Sequence, residues 1–171
     1  MLITTIPVDV EKTVTSESSI MVKADRTGSI EYANLEYARL SEYEVDELIG
    51  EKLSVLLHPD MPSTIFNHIW EKLLDKKRTF AIFKNMSKSG KYFWLQVNFD
   101  FKVNEDTREI ENIYAYYSKV SLKGKQSLSV FYSKLKAIES HTGVDNAENY
   151  MKGYLEDKGI DYQNFIEGFL S

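Results

Sequence analysis

Thr79–Val103 reads TFAIFKNMSKSGKYFWLQVNFDFKV, two runs rich in β-branched and aromatic residues around the polar, glycine-containing segment Ser87-Lys88-Ser89-Gly90. Such a segment between two such runs closes a β-hairpin. In the second run Phe93, Leu95, Val97, Phe99, Phe101 and Val103 alternate with Tyr92, Trp94, Gln96, Asn98, Asp100 and Lys102. A period of two sustained over that length predicts a strand with one dry face. Facing it, the first run should turn Ala81, Phe83 and Asn85 the same way. An amide on a dry face needs a partner, because leaving it unpaired costs about 1–3 kcal/mol. That partner is either loop backbone, tying down the strand end, or a bound small molecule, and the sequence leaves both open.

Outward from the hairpin, the N-terminal side carries strand candidates at Ser19–Lys23 and Ser29–Ala33 around the turn Asp25-Arg26-Thr27-Gly28. Asn34 is placed to cap a helix over Leu35–Leu40, and a second short helix, Val45–Ile49, stops at Gly50. His58-Pro59-Asp60-Met61-Pro62 precedes a helix with the stripe Ile65, Phe66, Ile69, Trp70, Leu73 and Leu74. Pro62 suits its first position, and Asp60 could equally cap it, with His58 an ordinary loop residue. Ile110–Val120 completes the sheet, with Ile113, Ala115 and Tyr117 facing in and Tyr114 and Tyr116 facing out. The order predicts an α+β fold: a five-stranded antiparallel sheet with short helices between strands 2 and 3. Beyond it, three short amphipathic helices follow. Asp145 and Glu148 form a capping-box pattern for the second, and Asp161 caps the third. Helices this short must pack on one another, on the sheet or on a partner. The expected organisation is a flexible or capping segment over 1–18, a sensory domain over 19–121, a linker over 122–127 and a helical extension over 128–171.

Composition narrows the function classes. The 171 residues are 43% hydrophobic, enough for a real core, and the net charge of −5 argues against nucleic-acid binding. The absence of cysteine removes disulfides, thiolate metal sites and cysteinyl–flavin chemistry. No phosphate loop, nucleophile elbow or metal-ligand spacing is present, so no enzyme is expected. Neither a signal peptide nor a membrane-spanning run is visible, so the expected location is cytoplasmic, without membrane insertion.

From about Ser19 to Ser121 the chain resembles a PAS domain. The marks are Asp25-x-x-Gly28, Tyr32-Ala33-Asn34, Leu40-Ser41-x-Tyr43, Glu47-Leu48-Ile49-Gly50 and Ser87-Lys88-Ser89-Gly90-Lys91-Tyr92-Phe93-Trp94. His58-Pro59-Asp60-Met61-Pro62, Phe66-x-x-Ile69-Trp70 and Lys84-Asn85 resemble the aerotaxis and energy-taxis receptor branch, which binds FAD non-covalently. The helical tail is similar to that of small stand-alone PAS proteins in bipartite energy-taxis systems. The chain departs from the FAD-binding pattern at Leu57, where that branch has Arg, and at Thr79 and Ala81, where it has Trp and Gly.

The resemblance implies a sensor that relays redox or energy state to a membrane chemoreceptor or other signalling protein. The implied FAD site is His58, Asp60, Phe66, Trp70, Phe83, Asn85, Leu95, Val97 and Tyr117. Some PAS domains hold haem through a helix histidine. His68 falls opposite the apolar stripe of its helix, facing solvent, which argues against haem. On the outer sheet face Tyr92, Trp94, Gln96, Tyr114 and Tyr116 offer a surface for the tail, a signalling partner or a homodimer. The alternative function is a cofactor-free interaction or dimerisation module acting as an adaptor, with large side chains such as Phe83, Phe99 and Tyr117 filling the pocket.

Overall fold

Strands β1 (Ile20–Asp25) and β2 (Ile30–Ala33) are joined by a turn that Asp25 organises. Its Oδ1 accepts from the N–H and hydroxyl of Thr27 and from the N–H of Ser29, at 2.7–3.0 Å. Gly28 has φ +81°, and a Cβ there would sit 2.9 Å from the Trp70 ring, so only glycine fits. Helices α1 (Leu35–Ser41), α2 (Val45–Leu48) and α3 (Ser63–Leu74) follow. Asn34 caps α1 as expected, its Oδ1 accepting from Tyr37 N–H at 3.1 Å. Then come β3 (Thr79–Met86), β4 (Tyr92–Val103) and β5 (Ile110–Lys119), and last α4 (Leu122–Thr142), α5 (Val144–Lys158) and α6 (Tyr162–Glu167). The computed structural model describes residues 5–15 and 19–169.

The sheet is fully antiparallel in the order β2-β1-β5-β4-β3. In the hairpin, Ala81 lies opposite Val97, Phe83 opposite Leu95 and Asn85 opposite Phe93. This register puts these six residues on one face, and all six are buried, whereas Phe101 and Val103 further along β4 are half-buried. Helices α1 to α3 cover that inner face, with Phe66 of α3 packing on Phe83 (6.1 Å between ring centres).

The tail corrects two expectations. Residues 122–127 are not a linker: they are the first turns of α4, capped by Ser121, whose Oγ accepts from Gly124 N–H. Nor does Asp145 open α5, which starts at Val144 without a side-chain cap. Asp161 does cap α6, accepting from Asn164 N–H at 2.8 Å. The three helices share an aromatic cluster in which Phe131, Tyr154 and Phe165 lie 5.0–5.7 Å apart. They close over the outer face of β3 and β4, burying Phe80, Ile82 and Trp94.

Residues 5–15 run along the start of β4, beyond where β5 ends. Val8 N–H donates to Gly90 O, Lys12 N–H to Tyr92 O and Tyr92 N–H to Val10 O. The segment expected to be flexible or capping therefore lies along the sheet where it is described; residues 1–4 and 16–18 lie outside the described residues. Glu42 fastens this arrangement, accepting from Lys12 Nζ at 3.0 Å and from Ser89 N–H at 2.9 Å. Partial burial works to raise its carboxyl, but hydrogen bonds from Ser89, Lys12 and Ser87 outweigh that and hold it at about 2. A depressed carboxyl stabilises the fold above its unfolded value and stops doing so as pH falls through the folded one. Urea midpoints should therefore drop between about pH 4.5 and about pH 2, and the drop should be smaller in Glu42→Gln. An identical acid loss in both proteins would remove Glu42 from this account.

Candidate functional site

Residues 56–58 extend the sheet beside β3. Met86 N–H donates to Leu56 O at 2.7 Å and His58 N–H to Lys84 O at 3.0 Å, with Leu57 bridging Asn85. Directly opposed residues share a face. Leu57 therefore stands with Asn85 on the inner side, while His58 stands with Lys84 on the outer side. Ring contacts agree: His58 meets Tyr92 edge-on at 6.4 Å, and Lys84 Nζ lies 4.6 Å above the same ring.

The sequence-predicted site thus divides into two groups. Phe66, Trp70, Phe83, Asn85, Leu95, Val97 and Tyr117 belong to the inner side. There Phe66 and Trp70 lie parallel, 6.3 Å apart. Trp70 rests on Gly28, and a cleft of about 220 Å³ beside them is lined also by Phe66, Lys52 and Leu53. Asn85 is 7% exposed and donates one N–H to Phe83 O at 3.3 Å. Tyr117 packs on Tyr37 at 5.5 Å, and burial pushes both phenols well above their ordinary range.

His58 and Asp60 form a separate outer cluster with Lys84, contrary to their expected place in one pocket with Asn85. Asp60 N–H donates to His58 Nδ1 at 3.0 Å, and Lys84 Nζ pairs with Asp60 at 3.1 Å. Burial, and secondarily Lys84, lowers the His58 pKa, so the ring is neutral and can accept that N–H. The physical reason for the division is the two-residue period: adjacent strand positions cannot face the same way.

The outer surface divides as well. Trp94 is no interface residue: it is 5% exposed beneath Tyr132, whose ring lies 6.2 Å away. Tyr92 is half-buried under Lys84 and the N-terminal segment, and Gln96 and Tyr114 are half-buried too. Tyr116 is exposed, and with Tyr32 it leaves an uncovered tyrosine surface on β5 and β2. His68, expected in solvent, is half-buried against Tyr162 at 4.8 Å because α6 folds over α3.

Two features escaped sequence reading. Tyr37 was legible, since the Asn34 cap fixes a helix on which Tyr37, Ala38 and Ser41 form one buried stripe. The other is the start of α3, which Pro62 leaves without a side-chain cap of its own. Glu139 of α4 supplies it, accepting from both Thr64 N–H and Thr64 Oγ1 at 2.7 Å. Nothing local in the sequence reports a cap lying in another helix.

As a test for a flavin, the inner face offers apolar walls and the buried Asn85 amide for the polar edge of the ring. No cation stands opposite Asn85, because Leu57 holds that position. Lys52 at the cleft mouth already donates to Thr27 and Ser29. The residue types suit a ring's faces and edge, but Asn85 does not line the cleft of about 220 Å³ that Phe66 and Trp70 border; among the described residues nothing equivalent is built for a diphosphate.

A family model for the PAS fold matches residues 30–114. The aerotaxis receptor of Escherichia coli (strain K12) is 30% identical over 82 residues, which is 48% of this chain and 16% of that receptor. A solved structure from work on a flavin analogue and the light-oxygen-voltage domain mechanism superposes with TM-score 0.59 at 20% identity, covering 64% of this chain and 83% of that one. The light-state structure of the blue-light photoreceptor aureochrome1 LOV superposes with TM-score 0.56 at 22% identity, over 71% of this chain and 90% of that one. No helix among the described residues is long and apolar enough to cross a membrane.

Proposed function

Because the chain carries a PAS domain, a signal-sensing fold resembling that of an aerotaxis receptor, we propose that it senses redox or energy state and relays it to a separate signalling partner of the chemoreceptor kind. The proposed input is a flavin, such as FAD, held by its ring on the inner face. The observation that carries this is Asn85, a buried amide on an otherwise apolar face, in a domain related in sequence to an aerotaxis receptor. A bound flavin would supply reversible electron and proton uptake. In this reading Asn85 reads the ring edge, Phe66 and Trp70 wall it, and Leu95 and Val97 keep water out.

Output is proposed to leave through α4, which contacts both elements that flank the inner face. Tyr132 hydroxyl donates to Ile82 O of β3 at 2.6 Å, and Glu139 holds Thr64 of α3. A changed hydrogen bond at Asn85 would shift β3 against α3, favouring one of two dockings of α4. The Tyr32–Tyr116 surface is the proposed place for a partner or a second copy, and the setting is proposed to be cytoplasmic.

The test is optical. Purified protein should show flavin absorbance or acquire it with FAD. Asn85→Ala should hold flavin about tenfold less tightly, as expected for a lost buried hydrogen bond. Protein that is colourless and refractory to reconstitution would overturn the flavin part.

One observation favours a second reading. The open cleft of about 220 Å³ is smaller than the roughly 300–1,000 Å³ of common ligand sites, and elsewhere on the inner face the Tyr37–Tyr117 and Phe66–Phe83 rings pack on one another. On that reading the chain is a cofactor-free adaptor. Its mark is a core that stays equally protected from hydrogen exchange with and without added FAD.

A further inference from the structure

An unexplained feature lies where the tail meets α3, on the side away from the Phe66–Trp70 cleft. A cleft of about 380 Å³ opens between the end of α3, the start of β3 and the α5–α6 turn. It shares no lining residue with the inner-face cleft, so its role stands or falls independently of any flavin.

Its chemistry is lopsided. Lys72 comes from α3, Lys77 and Arg78 from the approach to β3, and Lys152 from α5. Against them stand only Glu156 and Asp161 on the lining. Arg78 is spent on Asp100 at 3.0 Å. Among the described residues, no carboxylate lies within ion-pair distance of Lys72, Lys77 or Lys152. Lys72 and Lys152 both bear on His68: after burial, Lys72 and then Lys152 lower its pKa, with Glu71 opposing. Lys72 and Lys77, joined by a backbone hydrogen bond, thus meet Lys152 of α5 at one cleft where cations outnumber carboxylates, an imbalance that an anion would offset.

The floor is of another kind. Leu155 and Ile160 supply apolar surface, and the paired rings of His68 and Tyr162, 57° apart in plane, supply an aromatic wall. A cationic rim over an aromatic, apolar floor matches one ligand chemistry: a phosphate ester carrying a flat ring. We propose that this cleft binds an aromatic phosphate ester of nucleotide type, with the phosphate against Lys72, Lys77 and Lys152 and the ring on His68 and Leu155. Because the cleft spans α3, α5 and α6, such a ligand would also fasten the helical extension to the sensory domain.

Calorimetric titration of the full chain with AMP tests this, with adenosine and inorganic phosphate as separate arms. AMP should bind measurably, and more tightly than either fragment. The double variant Lys72→Ala, Lys152→Ala should weaken it at least about tenfold, as should raising salt from about 0.05 M to about 0.5 M. Lys123→Ala, on the exposed start of α4, should leave it unchanged. Thermal melts of the variants check that they remain folded; Lys123 and Lys152 are exposed and Lys72 is half-buried. No binding of AMP at millimolar concentration, equal binding of adenosine, or an unchanged affinity in the double variant would each overturn the site. Inorganic phosphate binding as tightly as AMP would overturn the ring-binding floor.

Discussion

Ending the chain after Ser121 is expected to leave residues 5–121 unable to hold a cooperative native state. Sequence spacing alone suggests the opposite, since residues 19–121 contain all five strands. The outer face of β3 and β4 decides the matter. Phe80, Ile82 and Trp94 are 4%, 0% and 5% exposed, and α4 and α6 are what cover them. Exposing three such side chains forfeits about 1.5–3 kcal/mol each, together about 5–9 kcal/mol. A domain of this size has only about 5–15 kcal/mol in total. The truncated chain should therefore aggregate, or show secondary structure by far-ultraviolet dichroism without a sharp thermal transition. A soluble truncated monomer melting within a few degrees of the full chain would refute the dependence.

The second large effect is expected at Glu139. Its Oε1 accepts from Thr64 N–H and Thr64 Oγ1, both at 2.7 Å, and Thr64 is 0% exposed. Glu139→Ala leaves both donors of Thr64 without their acceptor. Losing hydrogen bonds to a charged acceptor and stranding the donors should cost about 2–4 kcal/mol. Glu139→Gln keeps an acceptor oxygen and should recover part of that. Urea unfolding gives the total, and amide exchange gives the location: protection should fall first at Thr64 and its neighbours in α3. A Glu139→Ala protein within about 0.5 kcal/mol of the parent would show that α3 starts unaided.

These two expectations mark the boundary of what the sequence made legible. The hairpin faces, the Asn34 and Asp161 caps and the strand order all follow from local spacing, and the structure agrees with them. Asn85 and the apolar positions around it could be placed because a strand's period fixes which neighbours share a face. The same period was not applied to residues 56–58, since nothing marks them as strand-like until β3 lies beside them. His58 and Asp60 were therefore grouped with Asn85 by their motif and found on the other side. His68 failed differently: its side of α3 reads as solvent within that element, yet α6, far along the chain, covers it. For Trp94, cover by the tail was one of the readings left open, and α4 supplies it. Coverage by distant elements leaves no local pattern.

The short stretch beside β3 has a further consequence. Leu56 and His58 occupy the backbone groups of Met86 and Lys84, and Tyr132 takes Ile82 O. At the far edge of the sheet, Ile30 N–H donates to Glu51 O and Gly50 N–H to Ile30 O, so β2 is occupied as well. Both margins of the sheet are thus closed by the chain itself. Strand addition, whether by a partner peptide or by a second copy growing toward a fibre, finds few free backbone groups at either margin. Side chains such as those of Tyr32 and Tyr116, by contrast, stay exposed.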